Sequence, residues 1–243
     1  MTLKMEKTKI FCLPYAGGSA SVYFDWKKKY DSIAEIVPIE YNGHGSLFGI
    51  PFYKDADEAA SDICNRICAD NPKDYIIYGH SMGSLITLLV AWKLEKDGYN
   101  HLPKAIIIGG SRPPHLKYKN KPLANLPKDK LMKEIFDLGQ TDSEIMYESE
   151  LFDMLYSVFH ADLKIFEEYE CGELAPKISI PIVTMAGTQN GEAPLNEMKE
   201  WSKYTSNNFY IKEFDADHFF PFNCEEFGDY YLEMIDKAIK SLL

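Results

Sequence analysis

Short apolar runs alternate with longer amphipathic ones along this chain. Residues 10–13 (Ile-Phe-Cys-Leu) are an apolar run that predicts a strand, and residues 20–30 then read as a helix. Residues 35–41 predict a second strand, closed by Asn42-Gly43-His44-Gly45. Between residues 55 and 69 the apolar positions Ala59, Ile63 and Ile67 recur every fourth residue, one face of a helix, with a stop at Asn71-Pro72. Residues 75–78 predict a third strand, and from Ser84 to Trp92 the pattern is helical again, closing near Gly98. Residues 104–109 predict a fourth strand. Residues 178–185 and 209–214 predict two more, each followed by a helix, over 194–204 and 224–242.

Strand followed by helix, repeated with right-handed crossovers, predicts an α/β fold built on a doubly wound, mostly parallel sheet. The alternation stops between residues 126 and 171. Residues 128–138, 142–149 and 150–170 all read as helices, rich in Ile135, Phe136, Leu155, Phe159 and Phe166. A helical block inside such a series predicts an insertion over one end of the sheet, over about residues 112–171. Its natural role is a lid, although a packed helical subdomain that does not move would give the same pattern. No repeat, low-complexity tract or linker interrupts the chain, so residues 1–243 are expected to form one domain carrying that insertion.

Chemistry enters at the third strand. Gly79-His80-Ser81-Met82-Gly83 fits G-x-S-x-G between an apolar strand and a helix, the context in which this motif marks a nucleophile elbow of the α/β-hydrolase fold. Glycine flanks the serine because a Cβ at either side of so sharp a turn would clash. The Met82 N–H, at the start of a helix, is a candidate oxyanion donor. Pro14-Tyr15-Ala16-Gly17-Gly18-Ser19-Ala20 follows the first strand, and an N–H near Tyr15 or Ala16 is the candidate second donor. An ordinary strand-to-helix turn capped by Ser19 is the plainer reading of the same residues.

A serine hydroxyl needs a base. Of six histidines, only His218 lies in a loop after the last strand and before the last helix, where the fold brings that loop above the elbow. It is the expected general base and acid. His44 reads as a turn histidine near the site mouth. The third member belongs just after the fifth strand, where there is no aspartate. Asn190 occupies that region, with Glu192 two residues on, and Asp215 and Asp217 lie near His218 in sequence. Asn could hold the imidazole tautomer without supplying charge; Glu192 could do both.

Composition narrows the partners. The net charge of -11 offers no basic surface for nucleic acid or an anionic membrane. The five cysteines are scattered, and the spacing of Cys64 and Cys68 fits one helix face rather than a metal site. A polar start without an apolar signal core, and no run long enough to span a bilayer, lead us to expect a cytoplasmic protein.

With these residues placed, nearly the whole chain resembles the type II thioesterases, the external editing enzymes of nonribosomal peptide and polyketide synthases. Residues 13–20 look like the family's oxyanion loop, and Gly79-His80-Ser81-Met82-Gly83 like its elbow. Ser111-Arg112-Pro113-Pro114-His115 resembles the entry to its lid. Ala161-Asp162-Leu163 with Glu167 and Tyr169 is similar to a lid-helix signature, and Asp217-His218-Phe219-Phe220 to its histidine block. The resemblance implies hydrolysis of acyl thioesters on the phosphopantetheine arm of carrier domains, through Ser81 and His218, with Met82 and Ala16 as oxyanion donors. His115, Phe159 and Asp162 become the expected lid or substrate residues. It implies no cofactor or metal of the protein's own, and a monomer partnered by carrier domains. The family usually places Asp where this chain has Asn190. The competing readings are a small-molecule carboxylesterase or acyltransferase, and a catalytically weak protein that docks a carrier domain.

Overall fold

The computed structural model describes residues 7–116, 122–137, 149–171, 177–189 and 193–240. Six strands, β1 (Thr8–Leu13), β2 (Ala34–Pro38), β3 (Tyr75–His80), β4 (Ile106–Gly109), β5 (Ile182–Gly187) and β6 (Phe209–Phe214), form one sheet in the order β2-β1-β3-β4-β5-β6. Every neighbouring pair is parallel. The helices are α1 (Phe24–Lys29), α2 (Ala56–Asp70), α3 (Met82–Lys96), α4 (Lys128–Asp137), α5 (Ser149–Glu167), α6 (Leu195–Met198), α7 (Phe220–Asn223) and α8 (Glu225–Ile239).

Strand periodicity sorts the core into two layers. Ile10, Cys12, Ile76 and Tyr78 pack with Trp26 and Tyr30 of α1 and its surroundings and with Phe227 and Tyr231 of α8. Phe11, Leu13, Tyr75 and Ile77 pack on the other side with Ile63 of α2 and Leu85 and Leu89 of α3. α3 is buried nearly all round because α2 and α5 cover the face that the sheet does not. That explains why its sequence is apolar without a polar stripe.

Several elements differ from the periodicity reading, among them the strand expected over 35–41, which ends at Pro38. The helix expected over 20–30 divides into a 3₁₀ turn, Ala20–Tyr23, and α1. The strand expected from residue 178 starts at Ile182; Ile178 makes only an isolated bridge to Thr205, and Pro181, which has no N–H, comes between. The helix expected over 194–204 becomes 3₁₀ over Lys199–Tyr204. Residues three apart eclipse in that geometry, so Trp201 and Tyr204 both reach the core. The last helix is preceded by the short α7, with Cys224 extended between α7 and α8. Of the helix expected over 142–149, residues 142–148 lie outside the described residues.

The winding fixes where a site can form. From β1 the chain steps to β2 on one side, then crosses to β3 on the other. The carboxyl ends of β1 and β3 therefore flank a crevice at the point where the winding reverses. Leu13, at the end of β1, pairs with Gly79 near the end of β3. The glycine-rich loop and Ser81 emerge side by side from that pair.

Candidate active site

Ser81 sits between β3 and α3 with φ 53° and ψ -118°, a left-handed backbone that a serine adopts only under constraint. The constraints are visible. The Ser81 N–H donates to the Gly109 carbonyl at 2.7 Å, and the Ser84 hydroxyl bridges the carbonyls of Gly79 and Gly109 at 2.9 Å each. A Cβ on Gly79 would lie 2.1 Å from the Gly83 carbonyl oxygen, and one on Gly83 would lie 2.3 Å from that of Leu13. The turn closes only because both residues lack that carbon. Ser81 is partly exposed while its neighbours on both sides are buried.

His218 reaches this corner through backbone pairing that outruns the sheet. Thr188 donates to Phe214 and Gln189 to Ala216, so the loops after β5 and β6 leave together. Gly187 is required here, because a Cβ would stand 2.2 Å from the Asp217 carbonyl oxygen. The His218 ring lies 5.0 Å, centroid to centroid, from that of His80, the residue preceding Ser81. His80 is fully buried; burial, with His218 adding to it, holds its pKa well below the ordinary histidine value, so it stays neutral. Tyr15 closes the corner, its ring edge-on to His80, Phe219 and Phe222. Burial raises the Tyr15 pKa and keeps the phenol protonated.

Asn190 and Glu192, two candidates for the third position, lie outside the described residues. Gln189, the residue before Asn190, is paired to Ala216, two residues from His218. Asp215 is exposed and accepts from the Gln189 side chain at 3.2 Å. The Asp217 carboxylate accepts from the Phe219 N–H at 2.8 Å and from Asn223 at 3.0 Å, closing the turn that leads into α7.

The structure shows the plainer reading of the glycine-rich loop, the capped turn. Ser19 does cap the 3₁₀ turn, accepting weakly from the Ser21 N–H at 3.4 Å. Ala16 packs against the main core and against the hydrophobic cluster of the inserted segment. The three expected lid residues separate. Phe159 and Asp162, on α5, both touch this loop: a Cβ on Gly17 would meet the Phe159 ring at 2.0 Å, and Asp162 accepts from the Gly17 N–H at 2.7 Å. His115 is instead held 2.9 Å from the Tyr204 hydroxyl and 3.4 Å from Glu200, anchoring the entry to the inserted segment. Helical spacing put Asp162 on α5, but nothing local in the sequence showed that its partner would be His44. Among the described residues, no group of three or more His, Cys, Asp or Glu is arranged to hold a metal ion. Nor is any helix among them long and apolar enough to cross a membrane.

A serine held at a strained strand-to-helix elbow, on the carboxyl edge of a parallel doubly wound sheet, defines an α/β-hydrolase. The thioesterase domain family matches residues 8–239, and the chain belongs to that family. It is 27% identical to the linear gramicidin dehydrogenase LgrE of Brevibacillus parabrevis, across the whole chain and 91% of that protein. It is also 27% identical to the thioesterase PikA5 of Streptomyces venezuelae, over 87% of this chain and 75% of that one. The RedJ thioesterase from the prodiginine pathway of Streptomyces coelicolor superposes with a TM-score of 0.85 at 25% identity, covering 96% of this chain and 86% of RedJ. The resemblance to type II thioesterases carried by the sequence therefore extends to the fold, and the chain is a thioester hydrolase.

Proposed function

We propose that this enzyme clears acyl groups from the phosphopantetheine thiol of carrier domains in a nonribosomal peptide or polyketide assembly line. The observation that carries the chemistry is the backbone of Ser81, φ 53° and ψ -118°, with glycine required on both sides. His218 takes the Ser81 proton as the hydroxyl oxygen attacks the thioester carbonyl. The Met82 and Ala16 N–H groups receive the oxyanion. The carbon–sulfur bond breaks, and the pantetheine thiolate leaves with the proton from His218. Water, deprotonated by His218, then attacks the acyl-serine, Ser81 recovers its proton, and the free acid departs. Loss of one oxyanion donor would cost about 3 kcal/mol in the transition state.

The dehydrogenase name of one relative does not suit this chain. Its turn after β1 reads Pro14-Tyr15-Ala16-Gly17-Gly18-Ser19 and lacks the Gly-x-Gly-x-x-Gly spacing that brings a backbone up to a dinucleotide. The acidic surface favours docking of the carrier through apolar contacts rather than charge. Asn190 stands in the acid position as a neutral orienting group, with Glu192 the charged alternative; Asp215, committed to Gln189, suits the role least. The five free thiols suit a reducing compartment, and we place the enzyme in the cytoplasm as a monomer with no cofactor of its own.

Single-turnover release of acetyl and longer acyl groups from a phosphopantetheinylated carrier protein tests this reading. Ser81→Ala should bind the carrier and fold normally while release stops, and Asn190→Asp should speed release. Release by Ser81→Ala at the wild-type rate would remove the mechanism.

A further inference from the structure

Asp162 of α5 and His44 of the loop after β2 form a buried pair, 2% and 3% exposed. One oxygen of Asp162, Oδ2, receives two bonds: from the Gly17 N–H at 2.7 Å and from His44 Nε2 at 2.9 Å. The other ring nitrogen of His44, Nδ1, lies 3.0 Å from the Asn42 carbonyl oxygen. Both ring nitrogens face oxygen acceptors, an arrangement that favours the doubly protonated imidazolium. Glu40 is the other carboxylate near it, itself accepting from the Ala20 and Ser46 N–H groups. The Tyr41 and Phe52 rings enclose the imidazole edge-on.

What Asp162 holds matters for the reaction. Gly17 is the third residue of a turn closed by the Gly18 N–H on the Tyr15 carbonyl at 2.9 Å, and its φ of +79° is that of a type II turn. Types I and II differ by a flip of the central peptide, and the N–H of that peptide belongs to Gly17. By accepting it, Asp162 selects the flip. The Ala16 N–H, the candidate oxyanion donor, is one peptide upstream. Phe159, three residues before Asp162, presses on the same glycine.

We propose that Asp162 is a positioning residue: pairing with His44 and accepting the Gly17 N–H, it sets the oxyanion loop and makes the seating of α5 a condition for a complete oxyanion site. It acts through Gly17 and does not touch substrate. The inference rests on the Ser81 acyl-enzyme reading. It also carries a pH signature. Burial works to lower the His44 pKa, but the bond and charge of Asp162, with the Asn42 carbonyl and Glu40, raise it on balance above the ordinary histidine value. Loss of that proton as pH rises sets one ring lone pair against an acceptor, loosens the loop, and gives kcat an alkaline limb.

The experiment measures kcat and KM against pH on acetyl-pantetheine for wild type, Asp162→Ala, Asp162→Asn and Ser81→Ala, with thermal melts of each. Asparagine can put its carbonyl oxygen where Oδ2 accepts both bonds, without the charge. Asp162→Ala should lose tenfold to a hundredfold in kcat with KM within threefold, because the missing interaction is one made in the transition state. Asp162→Asn should recover most of kcat at neutral pH while its alkaline limb moves to lower pH. A folded Asp162→Ala with wild-type kcat overturns the inference. So does an Asp162→Asn limb that stays where wild type has it, which decides the matter even if Asp162→Ala does not fold. Absence of any Ser81-dependent release by wild type would instead overturn the functional reading, and this inference with it.

Discussion

Replacing Gly83 by alanine puts one carbon where β1 and the start of α3 already touch. Its three nearest neighbours would be the Leu13 carbonyl oxygen at 2.3 Å, the Pro14 carbonyl oxygen at 2.7 Å and the Leu13 carbonyl carbon at 2.9 Å. All are backbone atoms, so no side chain can rotate away. Ordinary contact begins near 3.4 Å, which leaves the Leu13 oxygen about 1.1 Å too close. The first turn of α3 must back off from the end of β1 by about that distance. One side of the gap carries the Met82 N–H and the other leads to Ala16, so the two candidate oxyanion donors are driven apart. A misplacement of about 1 Å costs on the order of a hundredfold in rate. Overpacking at a buried backbone contact costs about 1–3 kcal/mol, a fall in Tm of roughly 3–10 °C for a chain of this size. Single-turnover acyl release and a thermal melt on Gly83→Ala read both quantities. The expected result is a folded enzyme with kcat down about a hundredfold and KM changed little. A variant with wild-type Tm and wild-type release would refute the claim that this contact sets the oxyanion geometry.

The pH dependence of stability should carry two opposed histidine contributions. His80 binds its proton more weakly folded than unfolded, so its contribution is full above about pH 6.5 and drains as pH falls, by up to about 1.4 kcal/mol per pH unit. Urea melts at pH 5 and 7 should show this slope reduced in His80→Asn, and equal slopes would contradict it. His44 has the opposite sign: its pKa is raised, so its contribution is full at low pH and is lost as pH rises through the folded value. Asp162→Asn should shrink that alkaline loss in the same melts. Glu167 accepts from the Leu123 and Ala124 N–H groups at 2.8 and 2.9 Å, capping the 3₁₀ turn at Leu123–Asn125. Glu167→Ala should lower stability by about 2 kcal/mol, and an unchanged Tm would show that cap to be solvated.

The sequence alone determined whatever depends on neighbours along the chain. Alternation of apolar runs sufficed for six strands and their helices, because a strand buried on both faces and a helix buried on one leave different periodicities. The elbow was legible for the same reason: Gly79, Ser81 and Gly83 lie within five residues, and the physical demand for glycine is local. The placement of His218 beside the elbow was legible through chain order. Local propensity failed where tertiary contact outweighed it. Trp201 and Tyr204 tighten a helix to 3₁₀ so that both are buried, and Trp201 Nε1 then reaches the Ser111 carbonyl at 2.7 Å. Only the fold decided the contacts of Asp162. Its carboxylate meets a glycine 145 residues away and a histidine 118 residues away. Nothing in the pattern around His44 distinguishes a solvated turn from a buried imidazole paired to a carboxylate. That depends on α5 descending across the ends of β1 and β2, and on the high cost of burying a carboxylate that finds no proton donor to meet it.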